Sequence, residues 1–305
     1  MLKFALKRVI EAFPTLFLVI TVTFFMVRLA PGDPFANEKL PQAVKEKLTA
    51  HYQLDAPIWQ QYLNYLQRLA KGDLGPTFRH PGWGVNELIA DRIPISLELG
   101  FWSLLIALVL GIFIGCIASL KPNTWCDYLP MSAAMIGICL PTFVIGPLLI
   151  YIFGLKLEWT NVWGWVLPSD RILPSFILGL YFAAYVARLM RGSMLETLHQ
   201  DYIRTAQAKG LSHTRIYGVH AMRNALPPVV SFMGPAAAGL VSGSFVVESL
   251  FQIPGLGQLF VESALNNDYS LILGLVIFYA TLIIGFNLLV DLLQAVLNPK
   301  IRHHA

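Results

Sequence analysis

Six stretches of this chain, residues 9–29, 97–120, 129–155, 172–190, 225–247 and 269–290, are apolar for long enough to cross a bilayer. Crossing as a helix takes about 20 mostly apolar residues, because every backbone N–H and C=O must find its partner inside the segment. The expected fold is therefore an all-α integral membrane protein with six transmembrane helices. Only 13% of the 305 residues are charged, against about 25% in an ordinary soluble domain. An even number of spans puts both termini on one side. The opening MLKFALKRVIEAFPTLFLVITVTFF begins as a secretory signal does. Its apolar run is too long for one and no small-residue cleavage site follows, so it is expected to remain as the first helix.

Lys and Arg set the orientation. They gather in the N-terminal stub (Lys3, Lys7, Arg8), in the segment between the fourth and fifth spans (Arg188, Arg191, Arg204, Lys209, Arg215, Arg223) and in the tail (Lys300, Arg302). Residues 31–94 instead balance seven basic residues against seven acidic ones, and residues 251–270 carry Glu262 and Asp268 without a base. Both termini and the basic segment are thus expected in the cytoplasm. The net charge of +4 follows from this asymmetry and calls for no nucleic acid. Trp159, Trp163 and Trp165 fall in an outer loop, where amphipathic rings favour the lipid interface. Arg28, Glu98, Glu248 and Asp291 lie near span ends, where long side chains can snorkel.

The chain reads as one membrane domain, 1–305, with an outer helical insertion at 31–94 and a polar cytoplasmic segment at 192–228. The insertion should hold a helix capped by Asp55, with Pro57 in its first turn, Ile58, Tyr62, Tyr65, Leu66 and Leu69 at helical spacing, and Gly72 at its end. It could cover the outer mouth or touch a soluble partner. Gly137, Pro141, Gly146 and Pro147 interrupt the third span. Gly239 and Gly243 in the fifth, like Gly111 and Gly115 in the second, allow helices to approach closely, either within the chain or against another subunit. Cys116, Cys126 and Cys139 form no CxxC pair and read as small core residues, with no disulfide or metal site.

The polar segment DYIRTAQAKGLSHTRIYGVHAMRNALPP has its own structure. Asp201 stands where a cap belongs, and Lys209 falls in the last turn of a short helix. Gly210 offers the left-handed position that ends many helices, with Leu211 supplying the apolar contact after it. Ser212 can cap a second helix over about 213–224, which Pro227 and Pro228 end. Ala206 and Gly210, four apart, leave one side of the first helix nearly bare, a shape that fits another protein's groove.

At these residues the chain resembles the inner-membrane permease subunits of binding-protein-dependent ABC importers. RTAQAKGL followed by IYGVHAMRNALPP is similar to the cytoplasmic signature of their peptide and nickel branch, with Arg204, Thr205 and Ala206 where the broader signature has Glu-Ala-Ala and Gly210 on the matching glycine. FFMVRLAPGDPF, GDLGPTF, GSFVVESLFQIPGLGQLF, NNDYSLILG and DLLQAVLNPKIR extend the likeness to nearly the whole chain and favour the oligopeptide members. Asn298 departs from the Asp many relatives have before the proline. The resemblance implies a type I ABC importer permease fold in the bacterial inner membrane. It implies a second, non-identical permease subunit, two ATPase subunits and a periplasmic peptide-binding protein as partners, besides membrane lipid. The chain itself lacks a GxxxxGK[ST] loop, so ATP and Mg are expected on the ATPase subunits and no cofactor on this chain. In this family the polar segment is the coupling helix. The implied contact with the ATPase is Arg204, Thr205, Ala206, Ala208, Lys209, Gly210, Leu211 and His220, with Ala206, Lys209 and Gly210 at its centre. ATPase closure would drive the spans between inward- and outward-facing states.

Other functions find less support. There is no GxSxG elbow and no HExxH pair, so the chain is expected not to be an enzyme, and no proton relay points to an independent carrier. Dipeptides, glutathione or nickel remain as alternative substrates. Glu248 and the PGLG turn (Pro254, Gly255, Gly257) are the candidates for a gate or partner contact, beside the plainer readings of a snorkelling Glu and an ordinary turn.

Overall fold

A computed structural model describes residues 2–29, 56–77, 79–80 and 82–297; Asp55, Asn298, Lys300 and Arg302 lie outside them. Apart from one isolated antiparallel bridge between Pro76 and Gly84, all regular structure among the described residues is helical. In chain order the helices are α1 (Leu2–Leu29), α2 (Ile58–Ala70), α3 (Val85–Leu120), α4 (Trp125–Cys139), α5 (Thr142–Leu149), α6 (Ile172–Leu198) and α7 (Asp201–Ala208). Next comes α8, which joins His213–Arg215, a π-helical turn Ile216–Ala221 and Met222–Ala225. The last four are α9 (Pro227–Gly243), α10 (Phe245–Phe251), α11 (Leu256–Leu265) and α12 (Tyr269–Leu297).

Helices α1, α3, α6 and α12 are each long and apolar enough to span a membrane. Two bent pairs, α4 with α5 (continued by the π-helical Ile150–Lys156) at 108° and α8 with α9 at 52°, bring the count to six when each pair is one span. Proline explains both bends, in different ways. Leu140 is extended (φ −90°, ψ 120°), as a residue before proline prefers to be, and Pro141 then starts a new helix direction. Leu226 stays helical (φ −71°, ψ −33°), and Pro227 takes the first position of α9, where a missing N–H costs nothing. Pro227 and Pro228 therefore open a helix and do not end regular structure. Two helices run into the segments flanking their spans. Helix α3 begins at Val85, so residues 85–94 belong to it and Pro94 lies inside it; α6 runs on to Leu198, into the expected polar segment.

Helices α3 and α6 pack closely along their length. A Cβ on Gly111 would come within 2.5 Å of the Val186 Cβ, and one on Gly115 within 2.6 Å of the Ala187 carbonyl. These two glycines serve approach within the chain. Charged groups near span ends pair with one another: Arg171 donates to Glu98 at 2.7 Å, and Arg8 lies 3.2 Å from Asp291. Trp165 donates to Glu98 beneath the Arg171 guanidinium, whereas Trp159 and Trp163 are exposed. Cys126 and Cys139, both on α4, are exposed and are not the core residues expected, whereas Cys116 is half-buried and packs against the core cluster around Met190 and Met194.

Helix α2 lies across the end of α1. Tyr62 and Tyr65 pack on Phe24, and the Tyr62 and Thr21 hydroxyls are 2.7 Å apart. Asn86, in the first turn of α3, accepts from Leu74 N and donates to the Gly72 carbonyl, which ties the segment after α2 to the bundle. This is the α2 end of the bundle; the opposite one is the α7 end.

Candidate functional site

At the α7 end, α7 is a two-faced helix. Ile203 is fully buried and Ala206 nearly so, in a cluster with Met190 and Met194 of α6, Ile216, Ala221 and Ala225 of α8 and Val229 of α9. Arg204, Thr205, Ala208, Lys209 and Gly210 face outward. The chain turns after α7 as its sequence requires: Gly210 N–H donates to Gln207 O (2.9 Å) and Leu211 N–H to Ala206 O (3.3 Å), the paired bonds of a Schellman motif. Gly210 sits at φ +74° with open space around it, so the left-handed backbone is what selects glycine there. Leu211 packs against the cluster and His220 is half-buried. Asn224 of α8 donates to the Tyr202 hydroxyl of α7 at 2.7 Å, holding the two helices as one piece.

Three expectations need correction. Gln200 is the N-cap of α7 and Asp201 its first residue, with an exposed carboxylate 3.4 Å from Arg204. Asp201 still favours the positive helix end but does not cap it. Ser212 occupies the cap position of α8 without a side-chain capping bond. Ala206 is not on an open face: its methyl is spent on the chain's own core, and the bare outer side consists of Ala208 and Gly210.

One contact beside this segment was not anticipated. Asp127, in the first turn of α4, is 2% exposed and takes both Nε and Nη2 of Arg191 on α6, at 2.5 and 2.6 Å, while Asn123 N–H donates to the same carboxylate at 2.9 Å. A fork-to-fork pair of this kind fixes direction as well as distance. It ties α4, the first half of the sharply bent span, to the helix on which α7 rests. The signal in the sequence was an acid and a base at span ends on the same side, legible only once the topology is assumed.

At the α2 end, Glu248 is fully buried and does not snorkel. Its Oε1 accepts from the hydroxyls of Ser96 on α3 and Ser244, and its Oε2 from the backbone N–H groups of Gly257 (2.8 Å) and Gln258 (3.1 Å). The carboxylate thus caps α11 from a distance, supplying the acceptor that the first free N–H groups of a helix need. Ser96 accepts from Leu256 N–H at 2.8 Å, so α3 joins the same clasp. The two glycines of the turn are set by space: a Cβ on Gly255 would fall 2.3 Å from Glu248 Oε2, and one on Gly257 2.6 Å from the Phe245 backbone. Pro254 is half-buried, and Gln252, at φ +52°, carries the reversal. The PGLG stretch is therefore a clasped turn, held to α3 through one carboxylate.

With the six-span bundle and its exposed two-faced helix described, comparison with known families is decisive. The family described as "Binding-protein-dependent transport system inner membrane component" matches residues 69–303, and its N-terminal counterpart matches residues 1–100. The chain belongs to this family. This inner-membrane component is 48% identical over 306 residues to the oligopeptide transport system permease protein OppB of Haemophilus influenzae, covering 99% of this chain and 100% of the relative. It is 49% identical, with the same coverage, to the protein of that name in Escherichia coli K12. Against the dipeptide transport system permease protein DppB of Bacillus subtilis it is 40% identical over 305 residues, covering 100% of this chain and 99% of the relative. The inward-facing MetNI methionine ABC transporter superposes with a TM-score of 0.59 at 16% identity, over 69% of this chain and 96% of that one. That likeness establishes the fold of an ABC transporter permease. The inner-membrane component is accordingly a multi-pass permease subunit of a binding-protein-dependent importer.

Proposed function

We propose that this permease carries oligopeptides inward across the bacterial inner membrane, driven by ATP hydrolysed on separate subunits. The observation that carries the reading is α7: a short helix riveted to the span bundle through Ile203 and Ala206 while it presents Arg204, Thr205, Ala208, Lys209 and Gly210 outward. Such a helix is a handle for an external partner. Full-length identity of 48% and 49% to proteins named for oligopeptide transport supports the substrate class.

In this reading the α7 end and both termini are cytoplasmic and the α2 end is periplasmic, in keeping with the distribution of Lys and Arg. A second, non-identical permease subunit completes the pathway, two ATPase subunits sit beneath the pair with α7 as this chain's docking helix, and a periplasmic peptide-binding protein delivers substrate at the α2 end. This chain performs no catalysis; ATP and Mg belong to the ATPase subunits. Force applied to α7 reaches α6 through Met190 and Met194, and from Arg191 passes through Asp127 to α4, whose far end meets α5 at the 108° bend. The Glu248 clasp at the opposite end holds the α10–α11 turn against α3 and acts as the gate's fixed point.

The test is to purify the tagged chain from native membranes in mild detergent and identify stoichiometric partners by mass spectrometry, then to measure uptake of tetrapeptides and dipeptides by the recovered complex in vesicles. The expected result is a second permease and two P-loop ATPases, with tetrapeptide uptake dependent on a binding protein. Recovery of the chain alone, under conditions that preserve a known ABC importer, would refute the reading; uptake of dipeptides only would refute the substrate class.

A further inference from the structure

A small cavity of about 50 Å³ lies where α1, α2 and the start of α12 meet. Its charged lining among the described residues is two cations, Arg28 and Arg68, joined by the hydroxyl-bearing Tyr65 and Ser270. Arg28 Nε and the Tyr65 hydroxyl are both buried without a hydrogen-bond partner among the described residues. The Arg28 guanidinium sits over the Phe24 ring at 5.7 Å, and Tyr65 stacks on the same ring, so both groups are aimed by a fully buried aromatic. A guanidinium cannot shed its proton. The Arg28 Nε, buried without a partner among the described residues, is a donor that an acceptor in the cavity would satisfy.

The site has room for an anionic acceptor. A cavity of 50 Å³ is several times the ~10–15 Å³ that one water requires, and two arginines in its lining suit the oxygens of a phosphate. Its position and surroundings indicate the source. Arg28 is the penultimate residue of α1, at the level where a span leaves the hydrocarbon. Val22, Met26 and Leu29, on one face of α1, are exposed apolar side chains, and Trp59 and Leu63 are exposed one turn apart on α2. An acyl chain can lie along the first group and an interfacial Trp at headgroup level suits the second.

We propose that this cavity binds the phosphate of an anionic phospholipid headgroup, held by Arg28, Arg68 and the Tyr65 hydroxyl. The lipid then fastens α2 to α1 and α12, and only the leaflet it occupies depends on the orientation given above. The test is native mass spectrometry of the assembled, delipidated importer titrated with phosphatidylglycerol, with phosphatidylcholine of the same acyl chains, and with inorganic phosphate. Phosphatidylglycerol is expected to bind tightest. Arg28→Gln with Arg68→Gln should weaken it at least about tenfold, the loss expected for two charge-assisted contacts, while Lys71→Gln, an exposed cation outside the cavity, should leave it unchanged. Arg68→Gln alone, on the half-buried face of α2, gives a smaller loss and keeps the test open if the double variant fails to assemble. Unchanged phosphatidylglycerol binding in Arg68→Gln or the double variant would overturn the site, and inorganic phosphate binding as tightly as phosphatidylglycerol would overturn the lipid as its occupant. Neither result bears on which peptide is carried.

Discussion

Replacing Glu248 by Ala is expected to destabilise the permease by about 2–6 kcal/mol, because the buried N–H of Gly257 and the part-buried N–H of Gln258 in α11 lose their acceptor at roughly 1–3 kcal/mol each. The Ser96 hydroxyl loses its acceptor as well, while Ser244 can turn to the Val241 carbonyl, already 3.3 Å away. Glu248→Gln should fall between wild type and Ala. Its one remaining oxygen can serve either the serines or the backbone pair, and its amide group must face donors on the other side. Gly255→Ala should act like the Ala variant from the opposite direction, by driving a methyl into the carboxylate. Thermal unfolding of the detergent-solubilised importer checks the order wild type, Gln, Ala. An Ala variant as stable as wild type would show that the clasp does not hold the turn.

Arg191→Ala is expected to cost about 3 kcal/mol, the low end of the range for removing one partner of a buried ion pair. The reason for the low end is that the Arg191 side chain keeps 28% of its surface exposed, against 2% for Asp127. What remains is a buried carboxylate with one backbone donor, from Asn123. Arg191→Lys keeps the charge but cannot reproduce the two-point contact, so it should recover stability only in part. Because the pair is the proposed link from α6 to α4, transport should suffer in Arg191→Lys more than stability does. Uptake and unfolding measured on the same preparation separate the two. A loss of uptake no greater than the loss of folded protein would remove the pair from the coupling path.

The spans were legible because hydrocarbon leaves a backbone no alternative to a closed helix. For the same reason the turn after α7 could be read from Lys209-Gly210-Leu211, where one left-handed residue and one apolar contact determine the geometry. What the sequence hid depended on tertiary partners. Ala206 looked like an exposed small residue because nothing local reveals that α6 lies beneath it. Glu248 looked like an interfacial charge because its acceptors' partners, Ser96 and Gln258, lie 152 residues before it and 10 after it. Proline shows the limit most plainly. Pro141 and Pro227 are equivalent in local terms, yet one follows an extended Leu140 and bends its span by 108°, while the other sits in the first turn of a helix and bends the chain by 52°.

The most direct test of coupling is a photo-crosslinking side chain at Ala208, on the outward face of α7, in the importer assembled in its native membrane. The account predicts an adduct with an ATPase subunit whose yield changes when nucleotide is trapped on the complex, and no such adduct from a probe at Trp163 at the opposite end. An Ala208 probe that labels only lipid or water-exposed loops of this chain, in a complex that still imports peptide, would contradict it.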